Sequence, residues 1–177
     1  MTFHIETERL LIRPWETADR PSYERFVADS EMMRFIGHGR SWDAARIDAY
    51  FTRQTGFLAT HGCCVGAVIL KQSRELIGMG GIQPLDKLGI FEFAWLIWKA
   101  YWGQGLATEM ARGCRDHAFK VMHLPKVGAV IDAPNIASIR VAEKLGMQCE
   151  GPRNANELAE RYPSCEVMLY TLEIDQQ

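Results

Sequence analysis

The sequence predicts a single α+β domain with a mixed, mostly antiparallel sheet of six or seven strands and helices on both faces. Residues 1–177 are 47% apolar and contain no repeat or linker that would separate two domains. Three β-rich runs follow one another with short turns between them, which is typical of an antiparallel meander. Helical patterns precede and follow this meander, so both faces of the sheet can be covered.

The first elements are a strand and two helices. Residues 8–13 place Leu10 and Ile12 on one face and end at a proline, as a strand does. Apolar side chains then recur at helical spacing after Thr17 and again after Ser41. We therefore expect two amphipathic helices before the main part of the sheet.

The meander and the C-terminal half supply the remaining elements. The three β-rich runs are residues 63–70, 75–82 and 90–98. A helix is predicted over 106–121, a strand over 126–131, a helix over 135–146 and a last strand over 166–172. Asn135 is a favourable N-cap for the last helix, and Gly146 can end it in the left-handed conformation.

Composition excludes several classes of protein. The 20 basic and 22 acidic residues give a net charge of −2, so the composition does not indicate a protein that binds nucleic acid. No apolar run suggests a membrane span and the first residues lack a secretory signal, so we expect a cytoplasmic protein without a membrane partner. The histidines lack metal-binding spacing, and the five cysteines lack a CxxC pair, so we expect reduced thiols and no metal site.

A glycine-containing turn between a strand and a helix is the first candidate site. Gly103 and Gly105 let backbone N–H groups point toward one place, and Leu106, Ala107 and Thr108 expose the unpaired N–H groups of a first helical turn. Such an array binds phosphate. The turn is neither a P-loop nor a GxGxxG fingerprint, which argues against ATP hydrolysis and dinucleotide binding. On the glycines alone, a tight turn without a ligand is an equal interpretation.

The helix that begins at Asn135 is the second candidate. Asn135 and Ser138 lie in its first turn, while Ile139, Ala142 and Leu145 face inward. Alone, this segment is interpreted as an ordinary capped helix. Its value lies in its combination with the glycine turn.

Together these segments resemble the GNAT superfamily of acetyl-CoA-dependent N-acetyltransferases. The superfamily motif, Gln/Arg-x-x-Gly-x-Gly/Ala between a strand and a helix, is matched here by Trp102-Gly-Gln-Gly-Leu-Ala107. The opening Thr7-Glu-Arg-Leu-Leu-Ile-Arg-Pro-Trp15 and the segments 101–109 and 135–146 are similar to the branch that contains ribosomal-protein N-terminal acetyltransferases. The resemblance spans residues 6–174.

Two positions depart from the family pattern. Trp102 stands where the superfamily more often has Gln or Arg, so a side-chain contact to pyrophosphate is not expected there. Ala142 occupies the position of a tyrosine that protonates the leaving thiolate in many relatives. Another proton donor is therefore required.

The resemblance implies acetyl-CoA as co-substrate and a primary amine as acceptor, either a protein N-terminus or a small-molecule amine. The pantetheine arm would lie along the strand before the glycine turn, with the pyrophosphate on the amides of the turn. The implied cofactor-binding residues are Trp95, Leu96, Ile97, Gly103, Gln104, Gly105, Leu106, Ala107, Thr108 and Asn135.

Glu92 and Ser138 are the candidate catalytic residues. Glu92 aligns with a glutamate often found in this branch, and a carboxylate can take the proton that an amine must lose before it attacks a thioester. Its alternative is a solvent-facing position, since alternation places it opposite Phe91 and Phe93. Ser138 would protonate the thiolate, or it is a plain hydroxyl at a helix start.

Three expectations stay open beside these. The oxyanion of the tetrahedral intermediate would need a backbone N–H, such as that of Ala94 or Trp95 if the strand is bulged. The alternative function is a non-catalytic acyl-CoA-binding or regulatory module, which keeps the anion site without working acid–base groups. The oligomeric state stays open, and if the chain assembles, a homodimer is the commonest form.

Overall fold

The computed structural model describes residues 3–36, 39 and 41–174, and this part of the chain contains eight strands and four α-helices. The strands are β1 (Ile5–Glu6), β2 (Leu10–Arg13), β3 (Val65–Leu70), β4 (Glu75–Leu85), β5 (Ile90–Ile97), β6 (Lys126–Ile131), β7 (Gln148–Asn154) and β8 (Glu166–Glu173). The helices are α1 (Arg20–Ala28), α2 (Ala44–His61), α3 (Leu106–Lys120) and α4 (Ile136–Lys144).

All described strands belong to one sheet, in the order β1-β2-β3-β4-β5-β6-β8-β7. Neighbours are antiparallel throughout, apart from the parallel pair of β5 and β6. The mixed, mostly antiparallel sheet that the sequence predicts is therefore confirmed. The predicted number of six or seven strands is too low.

Two strands lack a signal in the sequence. β1 has only two residues, Ile5 and Glu6. β7 buries none of its side chains and contains Gly151, at φ +95°, followed by Pro152. Since β7 is an edge strand with no buried face, no alternation of apolar residues marks it.

Helices cover both faces of the sheet, as expected. On one face, α3 and α4 contribute Met110, Cys114 and Ala142 to a core that includes Phe93 and Ile97 of β5. On the other face, α1 and α2 pack against β3 and β4. The members of that second core are Tyr23, Phe26, Val27, Met32, Met33, Ile47, Tyr50, Val65 and Met79.

A third apolar cluster lies beside the second and closes the far end of the same face. It joins Leu85 of β4 to Leu158 in the segment between β7 and β8, and to Val167 and Leu169 of β8. Since Ala94 and Leu96 pack on the second cluster and Ile90 on the third, Glu92 lies between the two. No described helix is long and apolar enough to cross a membrane.

The parallel pair of β5 and β6 separates soon after it forms. Its register holds only Phe91 opposite Val127 and Glu92 opposite Gly128. β4 stays paired with β5 along its length, from Leu85 opposite Ile90 to Gly78 opposite Ile97, without a shift in register. Beyond Glu92, one edge of β5 therefore faces an opening in the sheet.

Candidate active site

The glycine turn, residues 103–108, has the backbone that an anion site needs. Gly103 and Gly105 adopt φ values of +75° and +76°, in the left-handed region that favours glycine. α3 begins directly afterwards, at Leu106. Within the described part of the chain, the N–H groups of residues 103–108 donate to no protein acceptor. These donors and the positive end of the helix dipole fit a diphosphate group.

The N-terminal segment of the chain, through Thr7 and Arg9, holds the glycine turn in place by contacts with Glu109 of α3. Thr7 Oγ1 donates to Glu109 Oε1 at 2.6 Å, the Arg9 backbone N–H donates to the same oxygen at 2.8 Å, and Arg9 Nε lies 2.6 Å from Oε2. Arg9 also donates to the carbonyl of Gln104, at 3.0 Å. Burial would raise the pKa of Glu109, but the hydrogen bonds from Thr7 and Arg9 outweigh it and hold the pKa below its usual value.

The open edge of β5 offers its backbone groups in alternation. Trp98 donates its N–H to the carbonyl of Ile77, at 2.7 Å, and therefore faces β4. Because orientation alternates along a strand, Leu96 also faces β4, whereas Trp95 and Ile97 turn their N–H and C=O groups toward the opening. The structure thus places two of the three predicted pantetheine contacts at the open edge and Leu96 away from it.

The side chain of Trp102 forms a hydrogen bond with one of the backbone groups at the open edge of β5. Its indole Nε1 donates to the carbonyl of Ile97, at 2.6 Å. The side chain that replaces the usual Gln or Arg is thus bound to β5, beside the glycine turn.

The condition of a bulge, under which Ala94 or Trp95 would supply the oxyanion donor, is not met in β5, because the register of β4 and β5 is continuous. Ala94 faces Gly81 of β4 and its N–H is turned away from the opening. Trp95 presents its N–H to the opening without any bulge. Among the two candidates for an oxyanion donor, the geometry favours Trp95.

The start of α4 lies against the same edge. Asn135 Oδ1 accepts from the Ser138 N–H at 3.2 Å, so the predicted N-cap is confirmed. Trp95 Nε1 lies 3.3 Å from Ser138 Oγ and donates to it, although the two residues are 43 positions apart. Asn135, Ser138 and Trp95 are therefore brought together beside the opening.

Glu92 is not solvent-facing, since only 2% of its surface is exposed. The alternation that places it opposite Phe91 and Phe93 is correct, but the face it joins is covered by α2 and by the segment after β7. Its Oε1 accepts from Gln83 Nε2 at 2.7 Å, from Arg161 Nη2 at 2.7 Å and from the Tyr162 hydroxyl.

The hydrogen bonds around Glu92 leave its second oxygen for other partners. No described residue donates to Oε2, because all three donors meet at Oε1. Burial and the Glu92 charge raise the pKa of Tyr162 well above its usual value, so its hydroxyl stays protonated as a donor. The hydrogen-bond network extends from Gln83 to α2, where Gln54 Nε2 donates to Gln83 Oε1 at 3.0 Å.

The sequence reasoning missed the partners of Glu92. Gln83 lies directly across from Glu92 in the register of β4 and β5, and Gln54 lies on the buried face of α2. A polar residue on an otherwise apolar helix face was the available signal for Gln54. Arg161 and Tyr162 come from the segment between β7 and β8, which carries no motif.

No group of three or more His, Cys, Asp or Glu side chains that could hold a metal ion occurs among the described residues. Cys63, Cys64 and Cys114 are buried, and burial raises the pKa of each thiol to about 12.

These features define a class of enzyme. A strand with an open edge leads into a turn whose unpaired amides fit a diphosphate, and a buried carboxylate lies where the opening begins. This arrangement suits a transferase that holds an acyl-CoA along the strand and an acceptor near the carboxylate.

Comparisons with known proteins agree with this class. Residues 9–148 match the family model described as an acetyltransferase (GNAT) domain. The uncharacterized N-acetyltransferase YnaD of Bacillus subtilis is 31% identical over 148 residues, which cover 84% of each chain. The chain therefore belongs to the GNAT family and is an acetyl-CoA-dependent N-acetyltransferase.

Solved structures share the fold. The crystal structure of an acetyltransferase from Agrobacterium tumefaciens has a TM-score of 0.81 and 26% identity, over 98% of this chain and 96% of that one. A spermidine N-acetyltransferase from Vibrio cholerae, in complex with CoA and spermine, has a TM-score of 0.73 and 16% identity over 93% and 95% of the two chains.

Proposed function

We propose that the protein transfers the acetyl group directly to a primary amine within a ternary complex, at the opening between β5 and β6. The observation that carries this proposal is the position of Glu92, at the last pair before the two strands part. The glycine turn lies beyond the other end of β5, so one extended acetyl-CoA would run from the turn to Glu92.

The cofactor half of the site is assigned to backbone groups. The amides of residues 103–108 would hold the pyrophosphate, and the open-edge groups of Trp95, together with the Ile97 N–H that the Trp102 indole leaves free, would pair with the pantetheine amides as a neighbouring strand does. Asn135 would add a polar contact to the same arm. Main-chain donors suit this role because they are fixed by the fold before the ligand arrives.

The acid–base steps are assigned to Glu92 and Ser138. The amine nitrogen attacks the thioester carbon, the C–N bond forms, and the amine proton passes to Glu92 Oε2 directly or through one water. The Trp95 N–H stabilises the oxyanion. When the C–S bond breaks, Ser138 Oγ gives its proton to the thiolate and regains one from solvent, while Glu92 releases the amine proton to solvent, which leaves free CoA and the acetylated amine.

The test of this assignment is steady-state release of the CoA thiol with a panel of amines and short peptides. Glu92→Gln should lower kcat by about 10²- to 10⁴-fold, the usual contribution of a general base. Ser138→Ala should lower kcat with little change in the KM for acetyl-CoA. Glu160→Gln, which removes an exposed carboxylate beside Arg161, is the control and should leave kcat unchanged.

Binding measured beside turnover separates loss of chemistry from loss of folding. Acetyl-CoA should raise the unfolding temperature of both catalytic variants as it does that of the wild type. Full kcat in Glu92→Gln or in Ser138→Ala would remove that residue from the mechanism. Stabilisation of the wild type without turnover of any amine in the panel would contradict the proposed class of acceptor.

A pair of glycine variants tests the diphosphate site. Gly103 and Gly89 both have positive φ, and a Cβ at either meets nothing within 4 Å. Replacement by Ala should therefore cost about 1–2 kcal/mol of stability at each position. Only Gly103→Ala should raise the KM for acetyl-CoA, because only there would the methyl group meet the pyrophosphate. An equal KM in the two variants would contradict the assignment.

A further inference from the structure

Two guanidinium groups lie on the face of the sheet where Glu92 is buried. Arg161, with a side chain only 9% exposed, ion-pairs with Glu92 at 2.7 Å and reaches Asp86 at 3.6 Å. Its Nε is buried and has no hydrogen-bond partner within the described residues. Glu92 and Asp86 therefore occupy one edge of this guanidinium and leave the Nε donor unused.

Arg53 of α2 is the second guanidinium, and it has no carboxylate partner among the described residues. It is half-buried, and its Nε is shielded from solvent without an acceptor. Its guanidinium lies over the ring of Tyr50, whose centroid is 5.7 Å from its central carbon. A contact with a ring face leaves the N–H edge of a guanidinium unsatisfied.

The neighbours of Arg53 make an unpaired charge costly. Burial and the nearby Arg161 both lower the pKa of Arg53, but a guanidinium remains protonated in proteins. A buried cation without an anion is normally avoided, because its lost hydration is not replaced. An anionic group that entered this face would therefore find two unused Nε donors and an unbalanced positive charge.

An amine bound for acetylation has to reach the same face. Under the proposed function its nitrogen approaches Oε2 of Glu92, to which no described residue donates. Arg161 contacts Glu92 directly, and its central carbon lies 5.7 Å from the ring centroid of Phe57, one turn after Arg53 on α2. A cation-binding position and an anion-binding position thus lie side by side.

We infer that the acceptor is an amine that also carries a carboxylate, with the amine at Glu92 and the carboxylate at Arg53 and the Nε of Arg161. This inference rests on the proposed function. Arginine is suited to the role, because its planar donors match a carboxylate. A polyamine would bring further positive charges against the guanidinium groups. The preferred acceptor therefore differs in charge from the spermine of the Vibrio cholerae structure.

The experiment compares matched acceptors that differ only in the negative charge. Free amino acids are paired with their carboxamides, peptides that begin with Asp or Glu are paired with those that begin with Asn or Gln, and spermidine is included. The wild type should show a higher kcat/KM for the charged member of a pair. The first set of pairs tests a free amino acid as the source of the carboxylate, and the second set tests a peptide.

Arg53→Gln should lower kcat/KM for the charged member by about 10- to 100-fold, as expected for a lost charge-assisted hydrogen bond, and leave the neutral member unchanged. The KM for acetyl-CoA should also stay unchanged. Arg46→Gln is the matched control, because Arg46 is on the same helix and stacks on Trp42 at 4.6 Å but is exposed. It should retain the wild-type preference.

Other outcomes overturn the inference. A wild type that prefers the neutral members or spermidine contradicts it, and so does a preference for charge that survives Arg53→Gln. If no acceptor is acetylated, calorimetric binding to the complex with CoA decides, since only charged members should bind and only with Arg53 present. Loss of activity in Arg53→Gln for both members of every pair would also contradict a role in charge selection.

The two proposals can fail separately. Full turnover in Glu92→Gln together with an Arg53-dependent preference would overturn the base assignment alone. The expected loss of kcat in Glu92→Gln, in an enzyme whose kcat/KM shows no preference for carboxylate-bearing acceptors, would overturn the acceptor class alone.

Discussion

Asn135 combines two tasks that the sequence could suggest but not separate. Its side chain caps α4 by accepting from the N–H of Ser138, and it lies beside the open edge of β5. The cap is a local property of the chain and was predicted from the residue type. The proposed contact with the pantetheine arm depends on where the fold places the helix start.

Two substitutions of Asn135 distinguish these tasks. Asn135→Ala should cost about 1 kcal/mol of stability because the cap is lost, whereas Asn135→Ser should cost only a few tenths because serine also caps helices. Both variants should raise the KM for acetyl-CoA, since neither keeps the amide. Urea unfolding and steady-state kinetics measure the two effects. A normal KM in the serine variant would leave Asn135 as a cap only.

Glu92 illustrates what residue-scale reasoning leaves out. Its position on the strand and its face followed from alternation, but its burial did not. The covering groups Arg161 and Tyr162 follow it by about 70 positions in the chain. Such a contact leaves no trace in the local pattern around Glu92.

At the scale of elements, the clamp between the N-terminal segment and α3 stabilises the glycine turn. Glu109 accepts from Thr7 and Arg9, and the methyl group of Thr7 would lie 2.8 Å from a Cβ at Gly113. The lack of a side chain at Gly113 thus lets the segment approach α3 closely. The motif at the start of the chain and the helix after the glycine turn form one unit.

This clamp makes stability depend on pH. The folded-state pKa of Glu109 is held below its usual value of 4.5, so the stabilisation is present above that value and is lost as the pH falls through the folded pKa. Glu109→Gln should cost about 1–2 kcal/mol at pH 7, and this difference from the wild type should shrink on acidification. Urea unfolding at a series of pH values measures it.

Glu24→Gln is the control for the clamp, because the Glu24–Arg20 pair on α1 is exposed. It should change stability by less than about 0.5 kcal/mol at any pH. A cost for Glu109→Gln that is as large at pH 3 as at pH 7 would show that the lost stabilisation does not depend on the carboxylate charge.

The parting of β5 and β6 belongs to the same scale. Both strands were predicted from their own residues, but nothing in either predicts that pairing stops after Glu92 and Gly128. The start of α4 lies beside the gap, where Ser138 contacts Trp95. The opening is therefore a property of three elements together.

At the scale of the whole molecule, the buried thiols report on how tightly the domain is closed. Cys63, Cys64 and Cys114 lie in the core on the α3 face, whereas Cys149 of β7 is exposed and Cys165 is half-buried. Burial raises the pKa of the three core thiols to about 12, so they are protonated as well as inaccessible at pH 8.

A thiol reagent at pH 8 should therefore modify Cys149 rapidly in the native protein. The three core thiols should react only at the rate at which the domain opens, and all five cysteines should react in denaturant. The time course of absorbance with a chromogenic disulfide measures this. Cys149→Ser should remove the fast phase, and rapid modification of the core thiols in that variant would contradict the packing described here.

The sequence by itself determined the order and type of most elements, the glycine turn and the family. These depend on local patterns: helical spacing, alternation, caps, and the left-handed conformation that Gly103 and Gly105 allow. The tertiary structure alone decided that Glu92 is buried, that Arg161 and Tyr162 contact it, and that Arg53 lacks a carboxylate partner among the described residues. The physical reason is that burial and charge balance arise from contacts between distant parts of the chain, which no local pattern encodes.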